Sequence, residues 1–116
     1  MAKFNEKILD ETQVETLKHL FNDKFKDLIS SYLEDTELKE KELFLEIENK
    51  RFENARKIAH AIKGNSLNVG AVGLAHACEK METAARAGNY QSIIDEFHSF
   101  QKLYPSTKER YSQFTT

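Results

Sequence analysis

The feature that most constrains this chain is a hydrophobic period of about 3.6 residues that persists from Val14 to Leu103. Only one proline and four glycines interrupt the 116 residues. Sandwiches and barrels need many turns, so the pattern excludes an all-β fold and points to an all-α one. Asp10 and Gln13 have the spacing of a capping box, which opens a short first helix with Val14, Leu17, Leu20 and Phe21 on its apolar side. Asn22 and Asp23 offer a cap for a longer second helix. Its inward stripe reads Phe25, Leu28, Ile29, Tyr32, Leu33, Thr36, then Leu43, Phe44 and Ile47. Lys39 and Glu40 weaken its middle. A turn is expected at Asn49–Arg51, a third helix from Phe52 to Asn68, and a fourth from Ala71 to Ala87. Leu74, Ala77, Cys78, Met81 and Ala85 face inward on the fourth. Gly88 ends it, and Asn89 caps a fifth that carries Ile93, Ile94, Phe97, Phe100 and Leu103. Pro105 marks the end of that helix or a kink. The polar tail to Thr116 has Tyr111 and Phe114 as its anchors. Such short connections make consecutive helices antiparallel neighbours. The expected fold is an up-down-up-down four-helix bundle with a short extra helix at the N-terminus.

Length supports one domain over residues 1–116, with room for one core. Seventeen basic residues against nineteen acidic ones leave a net charge of −2. That balance argues against a nucleic-acid binder. The single cysteine, Cys78, has no internal disulfide partner, and a reducing cytoplasm is the natural setting. No apolar run reaches the roughly 18 residues needed to span a bilayer, and the first residues lack a secretory apolar stretch. The four glycines form no nucleotide-binding pattern. Zinc-ligand spacing and the Glu-x-x-His pairs of a bundle metal site are absent from the sequence, so neither metal nor cofactor is expected in this chain itself.

The third helix carries the chemistry. On a wheel of about 100° per residue, Ala55, Ile58, Ala59, Ile62, Ser66 and Val69 form the buried face. His60 lies on the other side, among Arg56, Lys57, Lys63, Gly64 and Leu67. Side chains on a helix lean back over the preceding turn, so the residue at i+4 would partly cover the imidazole. That residue is Gly64, which leaves the ring bare. A mid-helix glycine costs about 1 kcal/mol relative to alanine, so some demand other than helix stability is expected to keep it there. Lys63 leans back the same way and brings a cation beside the ring. An accessible imidazole next to a cation suits a histidine that takes up a phosphoryl group. His76 is also outward, but Lys80 would lean over it. His19 and His98 read as ordinary surface residues.

The run Ala59-His60-Ala61-Ile62-Lys63-Gly64-Asn65-Ser66 resembles the signature of the histidine-containing phosphotransfer (HPt) domain family. Gly70, Ala71 and Leu74 continue that signature, followed by Cys78, Glu79, Met81 and Glu82. Upstream, Tyr32, Leu33, Asp35 and Thr36 match another family pattern. The resemblance spans about residues 8–104. Lys39, Glu40 and the Lys50–Arg51 turn depart from it, away from the site. What the resemblance implies is a phosphorelay intermediate. Such a protein accepts a phosphoryl group on its histidine, here His60, from the aspartyl phosphate of a receiver domain and passes it to another receiver. It further implies response-regulator receivers and a hybrid sensor kinase as partners, with Mg2+ on the receiver. A neutral imidazole is available as nucleophile near pH 7 because its reference pKa is about 6.5.

One more residue follows from hairpin geometry. If the turn between the third and fourth helices centres near residue 71, His60 stands level with Glu82, about 16 Å down each helix. Glu82 would accept a hydrogen bond from one ring nitrogen and leave the other as nucleophile. The alternative is a surface carboxylate facing solvent. Residues 50 to 63 hold five basic residues and one acidic, whereas residues 34 to 48 hold seven acidic and two basic. The histidine face is therefore locally basic, as an acidic receiver pocket requires. Arg56, Lys57 and Leu67 are the expected partner contacts. The expectation is a monomeric phosphocarrier without kinase activity of its own; Met1 and the length favour a free-standing protein over a domain excised from a hybrid kinase, and the sequence leaves both open. A histidine kinase dimerisation domain would carry an acidic residue after its histidine and a nearby proline, where this chain has Ala61 and only Pro105. A helical adaptor that binds receivers without being phosphorylated would not need the His-x-x-Lys-Gly pattern.

Overall fold

A computed structural model describes residues 7–116. Helix α1 spans Glu11–Phe21, and a single 3-10 turn, Asn22–Lys24, leads into α2, Phe25–Glu48. Helices α3, α4 and α5 span Phe52–Asn68, Val72–Arg86 and Tyr90–Thr115. Helices α2 to α5 form the antiparallel bundle, and α1 packs across one end of it against α2 and α5.

Each of the three tight connections in the bundle ends its helix the same way. After α3, Ala71 N–H donates to Ser66 O at 2.8 Å and Gly70 N–H to Leu67 O at 3.4 Å, with Gly70 at φ 79°. After α4, Asn89 N–H donates to Ala84 O and Gly88 N–H to Ala85 O, with Gly88 at φ 66°. These are Schellman closures, and they need a left-handed residue at the turn. After α2 the pattern recurs with Lys50 in that place at φ 55°. A lysine in the left-handed region costs roughly 1 kcal/mol or more relative to glycine. Its ammonium lies 4.7 Å from the centre of the Tyr90 ring, a cation–π contact that offsets part of the cost.

Five local expectations are corrected. Asn22 and Asp23 do not cap α2: Asn22 ends α1 at φ 50°, the 3-10 turn intervenes, and α2 starts without a side-chain cap. Leu20 and Phe21 are not inward. A helix lying over one end of a bundle buries a narrow stripe, so Val14 is buried and Leu20 is 71% exposed. The capping box is half formed, because Asp10 accepts from Gln13 N–H but the Gln13 amide donates to Leu67 O at 2.8 Å. The polar tail is helical. Helix α5 does not end at Pro105 but continues to Thr115. Pro105 and Gln101 are both exposed, so the Gln101 carbonyl left without its helical donor can be solvated. Meanwhile Phe97, Phe100, Tyr104, Thr107, Tyr111 and Phe114 keep one buried stripe. Tyr111 caps the end of the core: its hydroxyl donates to Val69 O and its ring meets Tyr32 edge-on. Phe44, expected inward, is half exposed beside Phe97.

The Tyr32-to-Thr36 segment is structural. The Tyr32 hydroxyl shares a 2.5 Å hydrogen bond with Ser66 Oγ. Asp35 accepts from Asn65 at 3.3 Å and from Lys39 at 2.9 Å. Thr36 is buried and donates back to Tyr32 O. Together they pin α2 to α3 within two turns of His60.

Candidate functional site

Glu82 is the one buried Asp, Glu, Lys or Arg among the described residues. A buried carboxylate persists only where other groups compensate its lost hydration. Here α3 supplies most of that compensation. Helices α3 and α4 form an antiparallel hairpin, and their register sets three pairs level with one another: Arg56 with Arg86, His60 with Glu82, and Lys63 with Glu79. Arg56, Arg86 and Lys63 all reach Glu82 of the centre pair, and Glu79 holds Lys63 from outside.

The two oxygens of Glu82 divide the work. Oε2 accepts from His60 Nδ1 at 2.9 Å and has Arg86 Nη2 at 3.7 Å and Arg56 Nη1 at 3.8 Å. Oε1 faces Lys63 Nζ in an ion pair at 2.7 Å. Burial pushes the Glu82 carboxyl up, but Lys63 and His60 outweigh it and the group is held below the ordinary carboxylate range. Glu79, at 2.8 Å, and Glu82 together hold the Lys63 ammonium above the ordinary lysine value. Glu53 grips Arg56 through both oxygens, at 2.8 and 2.9 Å, and raises its pKa further.

An ionised carboxylate cannot donate, so His60 Nδ1 must carry the proton in the 2.9 Å contact. In the neutral ring the lone pair then resides on Nε2. The His60 side chain is 63% exposed while the Glu82 side chain is 2% exposed. One edge of the imidazole is thus anchored in the protein and the other presented to solvent.

The structure brings His60, Lys63, Gly64 and Glu82 together. A Cβ at Gly64 would have nothing within 4 Å, so the space beside His60 is open. Lys57 and Leu67 lie exposed on the same helix. Arg56, expected as a partner contact, turns its guanidinium toward Glu82 and Glu53 instead of outward, with 23% of its side chain exposed. Glu82 is buried rather than a surface carboxylate facing solvent, on a hairpin whose buried faces carry Ala55, Ala59, Ala77, Cys78 and Ala85. Reasoning from sequence missed Arg86, Glu79 and Glu53. The hairpin register that gave Glu82 also gives Glu79 and Arg86, and Glu53 stands one turn before Arg56. Cys78 is buried and burial pushes its thiol up to about 12, so it is inert at neutral pH. His76 is exposed on the far flank of α4, in a groove shared with α5.

A family model described as the Hpt domain matches residues 11–109. Among solved structures, the crystal structure of histidine-containing phosphotransfer protein B from Pseudomonas aeruginosa is 25% identical, with a TM-score of 0.87. The match covers 92% of this chain and 93% of that one. The X-ray structure of a putative histidine-containing phosphotransfer protein from rice shares the fold at 15% identity and a TM-score of 0.84, covering 98% of this chain and 84% of that one. No protein of curated description matches.

Proposed function

Because this chain belongs to the Hpt domain family and is a histidine phosphotransfer intermediate of phosphorelays working with response-regulator receivers, we propose that His60 is the residue that carries the phosphoryl group. The observation that supports this is the anchored imidazole: Nδ1 is tied to a buried carboxylate, and Nε2 is free beside a bare glycine and a lysine.

Nε2 attacks the phosphorus of the receiver's aspartyl phosphate. The N–P bond forms as the P–O bond to the aspartyl carboxylate breaks, and the aspartate leaves as a carboxylate. Nε2 carries no proton, so none has to be removed. The ring gains positive charge in the step, and Glu82 at 2.9 Å from Nδ1 stabilises it. Lys63 draws electron density from the phosphoryl oxygens. Phosphoryl transfer needs positioning and charge neutralisation more than covalent help from the protein. The return step to a second receiver is the same reaction reversed. On this reading Mg2+ is bound by the receiver and not by this chain.

A hybrid sensor kinase is the proposed upstream donor, and a cytoplasmic monomer the proposed form. Among the described residues no helix is long and apolar enough to cross a membrane. Lys57 and Leu67, exposed on the His60 helix, are proposed to touch the receiver. Incubation with a phosphorylated receiver tests the proposal: acid-labile, alkali-stable phosphate should move to this protein and leave again when an unphosphorylated receiver is added. No transfer from any receiver would refute it.

A further inference from the structure

The two arginines at the ends of the site have no part in the transfer step above, yet both reach the same oxygen. Arg56 Nη1 and Arg86 Nη2 stand 3.8 and 3.7 Å from Glu82 Oε2, the oxygen that accepts from His60 Nδ1. They come from opposite helices at one level of the hairpin, so they approach the carboxylate from two sides. Lys63 occupies the other oxygen. The carboxylate is therefore clamped in one orientation. Were it to turn away, His60 Nδ1 would lose its acceptor, and were it neutralised that acceptor would weaken. The ring could then take the other tautomer, with the proton on the nitrogen that must attack.

The clamp is itself braced. Arg56 is held one turn away by both oxygens of Glu53. Arg86 is 61% exposed and reaches Glu82 along its own helix at i,i+4. Charges of both signs balance at the site: Arg56, Lys63 and Arg86 against Glu53, Glu79 and Glu82. Arg56 is thus turned to the buried carboxylate, and Arg86 reaches it with most of its side chain in solvent.

We propose that Arg56 and Arg86 are positioning residues: together they fix Glu82 Oε2 against Nδ1 of His60 and so reserve Nε2 as the nucleophile. This rests on His60 being the phosphorylated residue, but its first test does not use phosphotransfer. Long-range nitrogen–proton NMR correlations of the His60 ring, recorded near pH 8.5 on unphosphorylated protein, report which nitrogen bears the proton. The parent should show the Nδ1–H form in excess. In the double variant Arg56→Gln/Arg86→Gln the ratio should fall by roughly threefold to tenfold, on the scale of two partly exposed charge contacts. Arg56→Lys/Arg86→Lys should restore most of it. Transfer from a phosphorylated receiver should fall and recover in parallel.

An unchanged tautomer ratio in the glutamine variant overturns the proposal, whatever the transfer rate. If transfer falls while the ratio holds, the arginines contact the receiver instead. If the parent itself accepts no phosphate, the phosphorylation reading fails, and the tautomer ratios still decide the role of the arginines. Circular dichroism melts establish folding. Should the double variant not fold, Arg86→Gln against Arg86→Lys decides by the same ratio, since that side chain is mostly in solvent.

Discussion

Gly64 is where stability and activity should separate. It lies inside α3 in ordinary helical conformation, and a Cβ added there would meet nothing within 4 Å. Alanine therefore fits without strain and removes conformational freedom from the unfolded chain. Gly64→Ala should stabilise by about 0.4–1 kcal/mol. For a chain of 116 residues that is roughly 2–4 °C in melting temperature. Glutamine also favours helix over glycine and should melt at or above the parent. Either side chain leans back over the preceding turn, toward His60. The alanine methyl meets nothing within 4 Å and can hinder only the incoming receiver, whereas the glutamine reaches the imidazole as well. The transfer rate should fall in the order Gly, Ala, Gln while the melting temperature holds or rises. Paired thermal melts and phosphotransfer time courses measure both. Full transfer by the glutamine variant would show that the bare surface is not needed. A lower melting temperature for the alanine variant would show that Gly64 serves packing.

Lys63→Ala should slow transfer by roughly tenfold or more, through lost charge at the phosphoryl oxygens, while the fold persists; an unchanged rate removes Lys63 from the step. Glu82 is held below its ordinary value by Lys63 and His60, with Arg56 and Arg86 also facing it. A group with a depressed folded-state pKa contributes stability above its unfolded pKa and loses it as pH falls through the folded one. Melts of the parent should therefore lose stability below about pH 4.5, the ordinary value, and Glu82→Gln should show a shallower acid limb; identical limbs would contradict the ion cluster. Tyr111→Ala should cost about 3–5 kcal/mol in denaturant unfolding, since it empties a fully buried ring site. A cost under 1 kcal/mol would mean that the last turns of α5 are not part of the core.

Much of this architecture was legible because helical period, glycine stops and short loops all agreed. The bounds of α3 came directly from its stripe and from Gly70. What went astray did so for identifiable reasons. Pro105 reads as an end or a kink, although the stripe of Tyr104, Thr107, Tyr111 and Phe114 continues through it in step. An exposed proline removes one hydrogen bond, and the rings beyond it bury enough surface to carry the helix past. The 3-10 turn at Asn22–Lys24 has no periodic signature and depends on how α1 crosses the bundle. At the site, His60, Lys63 and Gly64 were readable from one helix alone. Glu82 needed the register of two. Its burial, and the turning of Arg56 inward, depend on how closely the alanine-rich faces of α3 and α4 approach, which a wheel does not report.

The central claim is tested most directly by locating the phosphate. The parent and His60→Gln are incubated with the same phosphorylated receiver, and the products are examined by phosphorus NMR and by peptide mapping at alkaline pH. The account predicts one acid-labile phosphoryl group in the parent, on Nε2 of His60, and none in a glutamine variant whose melt matches the parent's. Phosphate that persists in the folded His60→Gln protein, or a parent labelled on Nδ1, would contradict it.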